Sequence, residues 1–468
     1  METTDTPDRA PEAPVEKETN AGIALLMGDP KKAIVKLSGP MIVAMFLMST
    51  YNIVNAIWVA GLGSDALAAV GFITPLFMIL IGIGSGLGAG VASVISRRIG
   101  AKDKKGADNA AVHALLITLI ISLICTVPLI LLIGPIVNLF GAGATAGLAI
   151  EYGQVVFLGM VLILFTNIGY AILRAEGDAK RAMYVMAVSS VLNMILDPLL
   201  IYTAGMGIAG AAWGMIISLV VVSIVLLYWF VVKRDTYVTI SFSAFSWDKK
   251  TLRDILGVGL PASTEFLLMA ILAIFINSLL VATAGTDAVA VYTAGWRVVF
   301  FAVIPLIAIG TSVISVAGAA YGARNYARIR TTHVFSITLG IAISLVISAL
   351  TFIFARQIAV IFTYSADSAH LAPEIAAFLA TMCFIYPFIP PGIMSGSIFQ
   401  ATGKGMTSLA VTVLRNLVFI ALFTYLFGIV LGFGEHGIWW GIVAGDIIGG
   451  TVAYLWARAY ISALIKNQ

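Results

Sequence analysis

Apolar runs of about 20 residues recur twelve times between residue 34 and the end of the chain, centred near Phe46, Ile81, Leu119, Met160, Met194, Leu219, Leu268, Ile304, Leu345, Ile385, Phe419 and Thr451. No other feature limits the fold so severely. A run of that length is what an α-helix needs to cross a hydrocarbon core of about 30 Å. In lipid, only helices and closed barrels satisfy every backbone polar group. Barrel strands are about ten residues long and alternate in polarity, whereas these runs are longer and do not alternate. Composition agrees: 11% of the residues are charged and 60% are apolar, against about 25% charged in a soluble domain. The expected fold class is all-α integral membrane, with 12 transmembrane helices.

Lysine and arginine sort by loop. They occupy Lys31 to Lys36, Arg97 to Lys105, Arg174 to Arg181, Lys233 to Arg253, Arg324 to Arg330, Lys404 and the end of the chain. The alternate loops near Gly63, Asn138, Gly205, Gly285 and Glu435 carry none, and the one near Arg356 carries only that residue. The positive-inside rule then predicts a multi-pass protein with both termini cytoplasmic. This sorting accounts for the net charge of +4, which is no argument for a nucleic-acid partner. The first 30 residues, polar and without an apolar h-region, read as a disordered cytosolic tail rather than a signal peptide. Cys125 and Cys383 fall inside apolar runs without metal-ligand spacing, so they read as buried free thiols.

The chain repeats itself. Gly63-Ser64-Asp65-Ala66 returns as Gly285-Thr286-Asp287-Ala288, and Gly100-Ala101-Lys102 as Gly322-Ala323-Arg324, both at an offset of 222. Pro40 and Pro261 open the first helix of each half. Six spans per half is an even number, so both halves enter from the same side. They are expected to form two parallel six-helix repeats, or lobes, a plan found in transporters. The predicted division is a polar tail over 1–33, a first lobe over 34–232, a linker over 233–254 and a second lobe over 255–468.

Charges inside such spans are costly and mark functional sites by default. The first lobe has one deep charge, Asp197. Asn193 and Ser189 lie one and two turns before it on the same helix face. Tyr51 and Asn55 on the first helix, and Asn167 and Tyr170 on the fourth, add polar groups. Amides in membranes often only join helices, at roughly 0.6 kcal/mol per bond, but a joining role would be served better by a neutral group than by Asp197. Inserting an aspartate at a helix centre costs about 2.5–3.5 kcal/mol, so its carboxylate is a candidate to bind a proton, a sodium ion or an organic cation. The second lobe carries Glu265, Arg297, Arg415 and Asp446, which sum to zero. Glu265 with Arg297, and Arg415 with Asp446, lie on consecutive helices and can pair. Gly82, Gly86 and Gly90 suggest close helix packing rather than a nucleotide loop. Asp65 and Asp287 read as helix-start residues serving capping and dipole complementarity, and His113 and His333 as interfacial. No catalytic constellation is visible, so an enzyme is not expected.

Pro40, Asn55, Gly61-Leu62-Gly63-Ser64-Asp65-Ala66-Leu67, Asn193-Met194-Ile195-Leu196-Asp197-Pro198, Leu414-Arg415-Asn416 and Phe399-Gln400-Ala401-Thr402-Gly403-Lys404, in that combination, resemble the MATE family (multidrug and toxic compound extrusion). The resemblance covers roughly residues 34 to 460. It implies two lobes around a central cleft, and export of organic cations and drugs driven by inward sodium or proton gradients. It places the ion and proton site on Asp197 and Asn193, with Na+ as an alternative occupant. Asn55 stands where relatives often carry an aspartate, and Met215 where a threonine is common; both changes favour proton coupling. The resulting expectation is an antiporter of the cell membrane that exports amphipathic cations in exchange for H+ or Na+, without a cofactor or obligate protein partner. The alternative is a flippase for lipids or lipid-linked oligosaccharides.

Overall fold

The computed structural model describes residues 14–241, 245–363 and 369–467. Among them, eleven helices are long and apolar enough to cross a membrane, and a bent pair makes the twelfth span. In chain order the first lobe holds α1 (Pro30–Ala60), α2 (Ser64–Gly100), α3 (Lys104–Leu139), α4 (Gly143–Leu158 and Met160–Ala175), α5 (Ala179–Thr203) and α6 (Gly207–Lys233). The second holds α7 (Lys249–Ala284), α8 (Thr286–Gly322), α9 (Tyr326–Phe362), α10 (Ala369–Ala401), α11 (Gly405–Val430) and α12 (Gly434–Lys466). The two segments of α4 meet at 46°, where Gly159 lets Ile216 of α6 pack against the backbone. The basic loops all gather at one end of the bundle, called the basic end below.

Helix starts differ between the two ends. At the basic end, Asp29, Asp103, Asp178, Asp248 and Asn325 each cap a helix by accepting a backbone N–H, as in Gly106 N to Asp103 Oδ1 at 2.9 Å. These side chains satisfy donors that a helix leaves unpaired. At the far end, α2 and α8 start from Gly63 and Gly285, with φ of 108° and 79° and no side-chain cap. The capping expected there is not found, because Ser64 and Thr286 are already the first helical residues. Asp65 and Asp287 lie in the first turn, where they complement the helix dipole.

The lobes meet through α1 and α2 on one side and α7 and α8 on the other. Gly86 packs against Ser263, Gly90 against Ile255 and Gly259, and Gly82 against Phe266, so these glycines are packing residues. Nearer the basic end the contact is reciprocal. Gly100 lies against the carbonyl of Ala319, and Gly322 lies against the carbonyl of Arg97. Each residue thus meets the repeat equivalent of its partner's partner, as a two-fold axis between the halves requires. Lys102 and Arg324, also equivalent, share a left-handed φ of 58° and 55°. Hydrogen bonds between lobes, Ser38 Oγ to Ser312 Oγ at 3.2 Å and Ser93 Oγ to the carbonyl of Gln400, lie in this same half. Toward the far end, Leu67, Met78 and Ile79 of α2 and Leu267, Met269 and Ile274 of α7 are exposed.

Two connecting segments depart from expectation. Residues 1–13 lie outside the described residues, but Pro14–Met27 is a helix rather than a disordered tail. Its Gly22 lies against Glu176 and Gly177 in the first lobe, while Arg328 of α9 donates to the carbonyls of Leu26 and Met27. Leu26 is fully buried. Five residues, Ile23 to Met27, supply enough apolar surface to dock the segment despite its polar start. The linker is short, because α7 begins at Lys249, and it is bound to the first lobe. Asp235 pairs with Arg181 at 3.0 Å and Lys233 at 2.7 Å. Thr239 donates twice to Asp108, and Asp248 N donates to His113 Nε2 at 3.0 Å. His113 is therefore buried against Phe245 and Trp247, and His333 is buried with its Nε2 at 3.0 Å from Ser395 Oγ. Glu176, in the turn between α4 and α5, accepts from Val238 N at 2.9 Å. Burial pushes its carboxyl up to about 8, opposed by that hydrogen bond. Cys383 is buried and Cys125 only partly so, and both are free.

Candidate functional site

Asp197 sits on α5, two turns before its far end, and is fully buried. Pro198 follows, and the helix runs on as a π-helical turn over Leu199–Thr203; such wide turns are frequent at functional sites. Asn55 of α1 donates its Nδ2 to Asp197 Oδ2 at 2.7 Å. The other oxygen, Oδ1, has no hydrogen-bond partner among the described residues. It points at Gly214 of α6, where a Cβ would stand 2.5 Å from it. Tyr51 of α1 and Tyr152 of α4 lie within electrostatic reach of the carboxylate. No lysine or arginine is among the groups that act on Asp197.

Asn193, one turn earlier, donates to Ser218 Oγ of α6 at 2.6 Å and to the carbonyl of Ser189 at 3.1 Å. Its Oδ1 is buried and unpartnered as well. Two residues one turn apart on α5 thus each keep a buried acceptor oxygen without a donor among the described residues, and both contact α6, Asp197 at Gly214 and Asn193 at Ser218. A buried acceptor without a donor is costly, and a proton or a small cation on the carboxylate relieves it.

The structure brings Asp197, Asn193, Asn55 and Tyr51 together, with Ser189 contributing its carbonyl. It leaves Asn167 and Tyr170 elsewhere: Asn167 donates to the carbonyl of Ile163 and packs on Gly84, and Tyr170 is buried in the lobe core. Three participants carried no charge signal in the sequence: Tyr152, Gly214 and Ser218. The last two lie four residues apart on one face of α6, a spacing that could have drawn attention. Ser218 also sets a hydroxyl one turn below Met215, the position where a threonine was missed.

The second lobe holds a separate polar cluster. Arg415 Nε pairs with Asp446 Oδ1 at 3.3 Å, both side chains largely buried, and Arg415 opens a π-helical stretch over Leu414–Ile420. Gly392 and Gly449 make room for the arginine. Glu265 does not pair with Arg297. It accepts from Ser408 Oγ at 2.9 Å and Gln400 Nε2 at 3.4 Å, while Arg297 is exposed on α8 and enters no ion pair among the described residues. Adjacency in the chain did not put the two side chains on facing sides of their helices. Glu374 and Glu435, both partly buried, and the exposed His436 form a small group at the far end of this lobe.

The chain as a whole is similar to known proteins. The MatE family model matches residues 40–199 and 261–426. A multidrug export protein, MepA of Staphylococcus saprophyticus, is 28% identical over 426 residues, covering 91% of this chain and 92% of that protein. A solved multidrug resistance MATE family transporter in an outward-facing conformation is 43% identical, with a TM-score of 0.92 over 95% of this chain and 99% of that one. A MOP superfamily transporter from Pyrococcus furiosus, described as having a binding pocket of reverse polarity that suggests a different function, is also 43% identical, with a TM-score of 0.91 over 95% and 98%.

Proposed function

The chain belongs to the MatE family of transporters, and on that premise we propose that it exports amphipathic, mostly cationic compounds across the cell membrane in exchange for protons. Both termini then lie in the cytoplasm, at the basic end, and the cleft opens outward. One observation carries the reading: Asp197 is a buried carboxylate, held by one neutral donor, with an unpartnered oxygen and no cation acting on it. A group in that state binds a proton or a monovalent cation readily. Its two occupants compete, which is the minimum requirement for antiport. In the cycle, the outward-open protein takes a proton at Asp197 and releases the drug outside. The lobes then rearrange, and loss of the proton to the cytoplasm restores affinity for the next drug. Sodium is the alternative ion, with Asp197 Oδ1 and Asn193 Oδ1 as its oxygens. Only these two side-chain oxygens are buried and unpartnered on α5 among the described residues, fewer than a sodium cage needs, which supports the proton.

Asp197→Asn in a drug-sensitive host tests the mechanism. Dye efflux should fall to the level of cells lacking the transporter, at unchanged expression; undiminished efflux would refute the role of Asp197. Proteoliposomes with proton and sodium gradients imposed separately decide the ion. A second reading, flipping of anionic lipids or lipid-linked precursors, is favoured by Arg297, an exposed cation without an acidic partner. Incubation with lipid-linked precursors beside cationic dyes separates the two.

A further inference from the structure

A largely apolar groove lies away from the Asp197 site, between α7 and α11 at the basic end. It is an open groove of about 580 Å³, lined on α7 by Lys249, Leu252, Arg253, Leu256, Gly257 and Leu260 down to Thr264, and on α11 by residues near its start. The volume falls in the range of ordinary ligand sites. The α7 residues recur every three or four positions, so they form one face of the helix. That face is distinct from the one bearing Ile255 and Gly259, which packs on α2. Lys249 and Arg253 stand at the basic end of the groove, and leucines follow them toward the middle of the span. From Arg253 to Thr264 the helix rises about 16 Å, close to half of the roughly 30 Å hydrocarbon core. The groove is thus one leaflet deep.

Its charge is one-sided. No carboxylate lines it. Asp248 is occupied in capping Lys250 and Thr251, and Asp254 belongs to a different cavity with Arg97 and Arg98. Neither Lys249 nor Arg253 enters an ion pair among the described residues. Long basic side chains above apolar surface place their heads at the lipid phosphate level.

We infer that this groove is a binding site for one anionic phospholipid of the leaflet at the basic end, with an acyl chain along Leu252, Leu256 and Leu260 and the headgroup phosphate on Lys249 and Arg253. The lipid backs the helix whose other face makes the contact between lobes, so its headgroup influences how readily α7 moves. The inference does not depend on which ion or drug the transporter uses.

Full-length protein in nanodiscs of equal phosphatidylglycerol and phosphatidylcholine, extracted and weighed by native mass spectrometry, tests it. The wild type should retain one phosphatidylglycerol in preference to phosphatidylcholine. Lys249→Gln and Arg253→Gln should each lower that preference about fivefold, the effect of one cation near the surface. Gly257→Leu, at a position with open space around a Cβ, should abolish retention with both cations intact. Arg458→Gln with Lys466→Gln, cations of the same end on α12, should change nothing. Unaltered preference in the double variant of Lys249 and Arg253, or an equal loss in the α12 control, would overturn the site. So would undiminished retention in Gly257→Leu, or displacement of the lipid by millimolar inorganic phosphate, which would mark an anion site without a lipid.

Discussion

A Gly214→Ala substitution adds a methyl group 2.5 Å from Asp197 Oδ1, about 1 Å inside ordinary van der Waals contact. The Asp197 backbone nitrogen, at 3.5 Å, stays in ordinary contact, so the side chain is what has to give and the carboxylate turns. Turning strains the 2.7 Å hydrogen bond from Asn55. Such a bond contributes about 0.6 kcal/mol in membrane helices on average and about 1.5–3 kcal/mol when one partner is charged. At 1.4 kcal/mol per decade, the affinity for the coupling ion should change between about threefold and a hundredfold. Global stability should hardly move, since alanine is the better helix former by roughly 1 kcal/mol. The assay is dye efflux from proteoliposomes as a function of the imposed ion gradient, with Gly71→Ala as control, a position with nothing within 4 Å of an added Cβ. Gly214→Ala should shift the ion dependence while folding and expression remain. An unshifted dependence, equal to that of Gly71→Ala, would refute the coupling of Oδ1 to transport.

Ser218→Ala removes the acceptor of Asn193 Nδ2 and should weaken ion dependence only a few-fold, because the carboxylate itself is intact; abolished transport would mean that the hydroxyl is a ligand in its own right. Arg415→Met strands Asp446 without its cation, a change that costs about 3–5 kcal/mol at buried pairs. Thermal unfolding in detergent should show a large loss, which Asp446→Leu in the same chain should largely restore. Glu176 gives a pH test. Its carboxyl stays protonated up to about 8 in the folded protein but ionises near 4.5 when unfolded, so the folded state binds the extra proton between those values. Stability should fall as pH rises across that window, by a few kcal/mol, and level off above it. Glu176→Gln should flatten this slope and leave the two proteins alike at pH 4; parallel curves would show that Glu176 is not the group responsible.

The bundle was readable because hydropathy and length act locally: each span is written in its own residues, and the sorting of Lys and Arg orders them. Asp197 was readable for the same reason, as a cost visible within one helix. What surrounds it was only half legible. Asn55 and Asn193 advertise polarity, but Gly214 and Ser218 matter through where α6 lies relative to α5, and Tyr152 through the bend of α4 at Gly159. The pairing of Glu265 with Arg297 failed on rotation about the helix axis, which neighbouring positions in the chain do not define. Glu176 was hidden in a basic loop because its burial is made by the linker returning sixty residues later.

The docked helix Pro14–Met27 has a consequence for how the protein is made. Its carbonyls are held by Arg328, about 300 residues further along. Its other seat, the turn at Glu176 and Gly177, belongs to the first lobe and lies about 150 residues along. The segment therefore gains its contacts in two instalments, and only the second, which needs the ninth span, ties it to both lobes. A protease site placed before Pro30 should be cut faster in chains stalled before α9 than in finished ones, so its protection reads out the completion of the second lobe.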